Sequence, residues 1–189
     1  MPILGVIASS TRQGQATDTG VMFPIFATTV TSTAASITFS NIPSTYKHLQ
    51  IRGIARSSRA ASSDTIFMWY NGDTGTNYGL HFVSGNGSTA NSFGAAANTA
   101  TQMDVMQIAT TSSATGVFGS IIIDILDYSN TSKFKTQRSI GGFNNTSNGV
   151  LGLCSGHWRN TNAITSITLD AHSTDTFQQF STFALYGIL

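Results

Sequence analysis

Hydrophobic and polar residues alternate along most of this chain with a period of two, which is the pattern that predicts β-strands. In residues 49–56 (LQIRGIAR), Leu49 and Ile51 fall on one face and polar residues fall on the other. Residues 65–70 (TIFMWY) are apolar on both faces, as in a strand that is covered on two sides. Residues 118–128 (FGSIIIDILDY) form the most apolar segment and the best candidate for a central strand.

The same pattern predicts further strands at residues 23–32, 36–40, 78–84, 103–110, 134–142, 151–158, 163–171 and 180–188. Pro24 favours an edge position for the first of them, because proline cannot donate to a ladder. The NGD sequence at 71–73 predicts a tight turn and a return strand after it, and the small residues of 85–101 predict a long loop. Short strands separated by Gly and Asn turns predict an all-β, two-sheet antiparallel sandwich that is jelly-roll-like.

Residues 1–21 show no lasting period and are punctuated by glycines, so we expect an extended N-terminal arm at 1–21 followed by one β-sandwich domain at 22–189. The arm is apolar at its start but has no basic region before the apolar stretch, which is too short for a signal peptide core. Apolar surface is unfavourable in water. We therefore expect Ile3, Leu4, Val6 and Ile7 to pack against another protein.

Composition narrows the classes of function. Only 9% of the residues are charged, against about 25% in ordinary soluble proteins, and the formal net charge is +1. Such a balance argues against a nucleic-acid partner, and no run of apolar residues is long enough to span a membrane. Arg52, Arg56 and Arg59 are interpreted as a solvated edge with ion-pair partners. The single cysteine, Cys154, excludes an internal disulfide and is interpreted as a small buried residue.

No group of residues in the sequence has the spacing of a catalytic or metal site. Asp124 and Asp127 lie three apart in one predicted strand and point to opposite faces, so a buried Asp124 paired with Arg52 or Arg138 is favoured over a catalytic pair. The four histidines lack metal-ligand spacing, and the turn around Asp73 has too few carboxylates for calcium. We expect no enzymatic activity, no cofactor and no metal.

Several segments resemble a group of small virion structural proteins of tailed bacteriophages. The resemblance is carried, in order, by PILGVIASS, ITFSNIPSTYKHLQIRGIARS, NGDTGTNY, DILDYSNTSKFKTQRSIGG and FALYGI. It spans nearly the whole chain. It implies a structural protein on the exterior of a phage particle, with the major capsid protein or a tail protein of the same virion as its partner. On this resemblance, Ile3, Leu4, Val6 and Ile7 of the arm carry the attachment to the virion.

Two functions fit this resemblance. The first is a capsid decoration (cement) protein: homotrimers sit at local three-fold positions of the viral capsid, with their arms between capsid subunits. The second is a tail-fibre or receptor-binding adhesin, in which residues 85–101 and the aromatics Trp69, Tyr70, Tyr78 and Trp158 meet host surface glycans. Both tryptophans lie in strand patterns, where core packing is the default, so the first is favoured. A glycan depolymerase ranks third.

Overall fold

The computed structural model describes residues 22–145, 149–172 and 174–189, and within these ranges the chain is all-β. The predicted arm at 1–21 lies outside the described residues. The strands are β1 (Met22–Thr29), β2 (Thr33–Ala34), β3 (Ser36–Phe39), β4 (His48–Ala55), β5 (Asp64–Tyr70), β6 (Tyr78–Gly85), β7 (Ala90–Ala100), β8 (Met103–Ile108), β9 (Gly119–Leu126), β10 (Lys135–Asn144), β11 (Gly149–Trp158), β12 (Ile167–Asp170), β13 (Phe177–Gln178) and β14 (Thr182–Ile188).

These strands form a β-sandwich, as the sequence predicts. The large sheet has eight strands in the order β1-β14-β4-β9-β10-β11-β6-β7, and the small sheet has four in the order β3-β12-β5-β8. Every strand pair within the two sheets is antiparallel. A two-stranded ribbon, β13-β2, completes the fold. The jelly-roll connectivity stays a prediction. No helix in the described ranges is long and apolar enough to cross a membrane.

The positions of two strands follow directly from their sequences. The isoleucine-rich β9 lies fourth in the large sheet, between β4 and β10, so the prediction of a central strand is confirmed. The proline-containing β1 lies at the edge of the same sheet, and its register with β14 shifts between Pro24 and Phe26. An edge strand with a bulge tolerates the missing donor of proline.

The core lies between the two sheets. From the small sheet, β8 packs against β9, β10 and β11 of the large sheet and also contacts β6. Isoleucines of the inner face, among them Ile121, Ile123 and Ile125, are at most 1% exposed. At one end of the sandwich the rings of Tyr70 and Trp158 lie 5.6 Å apart, centroid to centroid.

Two parts of the predicted organisation are wrong. Most of the predicted loop at 85–101 is the edge strand β7, whose alanine, asparagine and glycine residues carry almost no hydrophobic signal. The NGD turn forms, with φ of 53° at Asn71 and 68° at Gly72, but it joins strands of different sheets. Strand β6 therefore pairs with β11 and β7, and not with β5 as a return strand would.

Candidate functional site

The outer face of the large sheet, the one turned away from the small sheet, carries a continuous row of exposed apolar side chains. Four register partners on neighbouring strands form this apolar row, in the order Ile122, Ile140, Leu153 and Val83. Each is between 38% and 49% exposed, in an arrangement that would let a flat partner cover all four at once. Monomeric soluble proteins rarely leave such a contiguous apolar surface in water.

The next register position carries further apolar side chains at both ends of the row. Ile54 of β4 is 51% exposed and Leu151 of β11 is 66% exposed. Between them in the register lie Ser120, which has a small side chain, and Gly142, which has none. Shallow grooves therefore remain beside the row. Ile122 lines two of these grooves, one over β14, β4 and β9 and the other over β9, β10 and β11.

The backbone conformation at position 142 requires a glycine. Its φ is 145°, and a Cβ at this position would lie 1.9 Å from the carbonyl oxygen of Val150. Only glycine allows β10 and β11 to approach this closely. The depression beside Leu151 is therefore built into the backbone and does not depend on a side-chain rotamer.

A polar row lies on the other side of the apolar row. Its register partners are Gln50, Asp124, Arg138, Ser155 and His81. Gln50 Nε2 donates to Asp124 Oδ1 at 2.6 Å, but no hydrogen bond or ion pair joins Arg138 to another described residue, although Asp124 is its register partner. The outer face thus presents a carboxylate beside a guanidinium that has no partner among the described residues.

The predicted pairing of Asp124 is wrong. Asp124 is half-buried on the outer face and accepts its hydrogen bond from Gln50, not from Arg52 or Arg138. Arg52 Nε donates to the same Gln50 side chain, at 2.7 Å. Asp124 is opposite Arg138 in register, yet the two charges remain apart.

Among the basic residues, Arg59 makes an ion pair with Asp64 at 3.2 Å, as expected of this cluster. Arg56 instead donates to the backbone carbonyls of Ser113, Ala114 and Val117. Arg56 and Arg59 are therefore held in place by contacts within the fold.

The aromatic residues that the adhesin hypothesis uses are mostly buried. Tyr70, Tyr78 and Trp158 are at most 1% exposed, and Trp69 is half-buried with its Nε1 donating to the carbonyl of Thr101 at 2.9 Å. The rings of Tyr70, Tyr78 and Trp158 therefore cannot stack on a glycan. Most of residues 85–101 form the edge strand β7, which pairs with β6 and has an irregular register between Ala95 and Ala100.

Asp73 is a structural residue of the 71–78 turn. Its Oδ2 accepts from Trp158 Nε1 at 2.7 Å and from Asn77 Nδ2 at 2.8 Å, and its Oδ1 accepts from the Gly75 amide at 2.9 Å. Burial would raise the pKa of Asp73, but these three hydrogen bonds outweigh it and the pKa lies below its ordinary value. Both carboxylate oxygens of Asp73 already accept hydrogen bonds within the protein, so they have little capacity left to coordinate a calcium ion.

Cys154 is fully buried, as predicted. Burial raises the pKa of its thiol to about 12, and its Sγ lies 3.0 Å from the carbonyl oxygen of Asp104, to which it donates. A thiol in this state is not a nucleophile at neutral pH.

The attachment residues Ile3, Leu4, Val6 and Ile7 lie outside the described residues. Asp64, His172 and Asp175, at one end of the small sheet, are the described residues that could hold a metal ion.

The apolar residues of the outer face are visible in the sequence, but periodicity alone does not show whether this face is covered within the chain. In β9 both the inward Ile121 and the outward Ile122 are apolar, so the strand could equally be covered on both sides within one chain. Only the sheet order reveals that the outward residues of four neighbouring strands align. Comparisons of the chain with protein-family models, with curated proteins and with solved structures found no match.

Proposed function

We propose that this protein is a structural virion protein of a tailed bacteriophage, a capsid decoration protein whose copies pack together through the outer face of the large sheet. The observation that carries the proposal is the apolar row Ile122, Ile140, Leu153 and Val83, which is exposed in the single chain. A protein that remains covered in an assembly can keep such a surface. The segments that resemble phage virion proteins support the virion setting.

A second copy of the chain is the occupant that the charges of this face favour. Asp124 and Arg138 stand side by side next to the apolar row, so the face carries both signs of charge. A surface of one sign would suit a partner of the opposite sign, whereas adjacent opposite charges let copies of one surface meet without repulsion. We propose a homotrimer, in which the apolar rows face the three-fold axis.

Attachment to the capsid is assigned to the arm. Ile3, Leu4, Val6 and Ile7 would bury their side chains in the major capsid protein. Three arms on one trimer bind far more tightly than one, because the second and third arms bind at a high effective concentration. This division gives the outer face to self-assembly and the arm to docking on the particle, and each part can be tested alone.

The copy number of the protein in purified virions tests the proposed role. A decoration protein at the three-fold positions of a capsid is present in a number that approaches that of the major capsid protein, on the order of hundreds per particle. Quantitative mass spectrometry of purified virions measures this ratio against the capsid and tail proteins. A few tens of copies that co-purify with detached tails would instead assign the protein to a tail fibre, and its absence from virions would overturn both roles.

Binding of recombinant protein to particles that lack it tests the arm. Replacing Ile3, Leu4, Val6 and Ile7 by serine should abolish binding and leave the oligomer intact. The matched control replaces the neighbouring Ser9, Ser10 and Thr11 by alanine and should bind as the wild type does. Full occupancy by the fourfold serine variant would show that the arm does not attach the protein.

A further inference from the structure

One end of the small sheet brings together three side chains of the types that bind metal ions. Asp64 begins β5, and β12 runs antiparallel to β5 with Asp170 opposite Phe67. The chain that leaves β12 therefore passes beside the beginning of β5 and carries His172 and Asp175 to Asp64. One ligand atom from each of these three side chains lies within 4.8 Å of the other two.

Asp64 is buried and has an oxygen without a partner. The residue is 1% exposed. Its Oδ1 accepts from Arg59 Nη1 at 3.2 Å and from the Thr65 amide at 2.8 Å, whereas Oδ2 is buried with no hydrogen-bond partner. A carboxylate oxygen buried without a partner is unfavourable. The oxygen that Asp64 can offer to the cluster is therefore the one that the protein leaves unsatisfied.

Acidic residues predominate around the cluster. Asp170 and Asp104 lie close enough to interact electrostatically with Asp64 and His172, respectively. With Asp175, four of the eight acidic residues of the chain gather here. Among the described residues, the cation that forms an ion pair with this group is Arg59.

The other two ligands are held in place by contacts of their own. Ser58 Oγ donates to Asp175 Oδ1 at 3.2 Å and also accepts from the amide of Thr176 at 3.0 Å. The His172 ring lies 5.1 Å from that of Phe67, centroid to centroid. Such contacts outside the ligands fix the orientation of metal-binding side chains in known sites.

We propose that Asp64, His172 and Asp175 form a binding site for one divalent transition-metal ion, with Zn²⁺ as the preferred ion. An imidazole with two carboxylates suits Zn²⁺ or Mn²⁺, whereas Ca²⁺ and Mg²⁺ prefer sites made of oxygen alone. The bond lengths of about 2.0–2.2 Å that Zn²⁺ forms to N and O require the three side chains to move together slightly. The bound ion would join the β12–β13 connection to the beginning of β5.

Metal binding by the full chain tests this site. Isothermal titration of chelator-treated protein with Zn²⁺, Mn²⁺, Ca²⁺ and Mg²⁺ should give one Zn²⁺ per chain and weaker binding of Ca²⁺ and Mg²⁺. At a free Zn²⁺ concentration of about 100 times Kd, the Tm should rise by roughly 5–10 °C. The absorption spectrum of bound Co²⁺ would report a site of low coordination number. Failure of the wild type to bind any of these ions would overturn the proposal.

Matched variants locate the binding. His172→Gln and Asp175→Asn, which change half-buried side chains, should each weaken Zn²⁺ binding at least tenfold. Asp124→Asn and His81→Gln change the same residue types on the outer face and should bind Zn²⁺ as the wild type does. Wild-type affinity in both His172→Gln and Asp175→Asn would place any bound zinc elsewhere and refute the site.

Discussion

The two faces of the large sheet differ in a way that composition does not predict. On β9 the inward Ile121, Ile123 and Ile125 are at most 1% exposed, while the outward Ile122 is 38% exposed. On β10 the inward Lys135, Gln137 and Ser139 are polar, while the outward Ile140 is apolar. Apolar residues therefore lie on both sides of one sheet, but among the described residues only one side has a covering layer. The comparison teaches that an apolar strand need not be covered on both sides by its own sandwich, and it supports the proposal that the outer face contacts another molecule.

Two polar residues of the inner face, Lys135 and Ser139, form hydrogen bonds with nearby backbone carbonyls. Lys135 Nζ donates to three backbone carbonyls, those of Asn130, Lys133 and Thr161, at 2.6, 3.0 and 2.9 Å. Ser139 Oγ donates to the carbonyl of Val105. Lys135 and Ser139 thus satisfy their side chains within the chain, whereas Gln137 Oε1 is buried without a hydrogen-bond partner. On the outer face, the apolar side chains of Ile122 and Ile140 remain exposed. This asymmetry can be tested strand by strand.

The largest difference in stability is expected between neighbouring isoleucines of β9. Ile123→Ala removes buried side-chain volume from the core and should lower the free energy of unfolding by about 3 kcal/mol. Ile122→Ala, on the outer face, should lower the free energy of unfolding of the dissociated chain by about 1 kcal/mol or less. Urea unfolding at low protein concentration measures both. Equal losses would mean that the two faces are equally buried within one chain.

A second pair lies on β10. Lys135→Met leaves three carbonyls without their donor and should cost about 2 kcal/mol of unfolding free energy. Arg138→Met, whose side chain has no partner among the described residues, should change it by no more than about 0.5 kcal/mol. The same urea experiment applies. Unchanged stability in Lys135→Met would contradict a structural role for the three hydrogen bonds.

The inner face also predicts how stability depends on pH. Burial raises the pKa of Cys154 from 9.0 to about 12 and that of Tyr78 from 10.0 to about 12. The unfolded chain releases these protons first, so the folded state holds more protons and stability falls as the pH rises from 9 to 12. Cys154→Ala should flatten the decline that begins near pH 9. A urea midpoint constant across this range would contradict the burial of both groups.

The sequence predicts local features of this fold better than long-range ones. Alternation identified most strands, and Pro24 marked the edge of the sheet because its effect acts on its own strand. Strand β7 escaped detection because small residues give no hydrophobic period. The row from Ile122 to Val83 depends on the order of four strands, and the cluster of Asp64 and His172 joins residues more than 100 positions apart. Neither arrangement corresponds to a regular spacing of residues that could be recognised in the sequence.

The central claim is that other copies of the chain cover the outer face, and sedimentation equilibrium of the purified protein tests it most directly. The wild type should sediment at three times the 20.0 kDa chain mass. Leu153→Asp places a charge in the apolar row and should weaken association by about 100-fold or more, giving folded monomers. Thr38→Asp, at an exposed position of β3 in the small sheet, is the matched control and should remain trimeric. A wild type that is monomeric at micromolar concentration, or a Leu153→Asp variant that stays trimeric, would contradict the account.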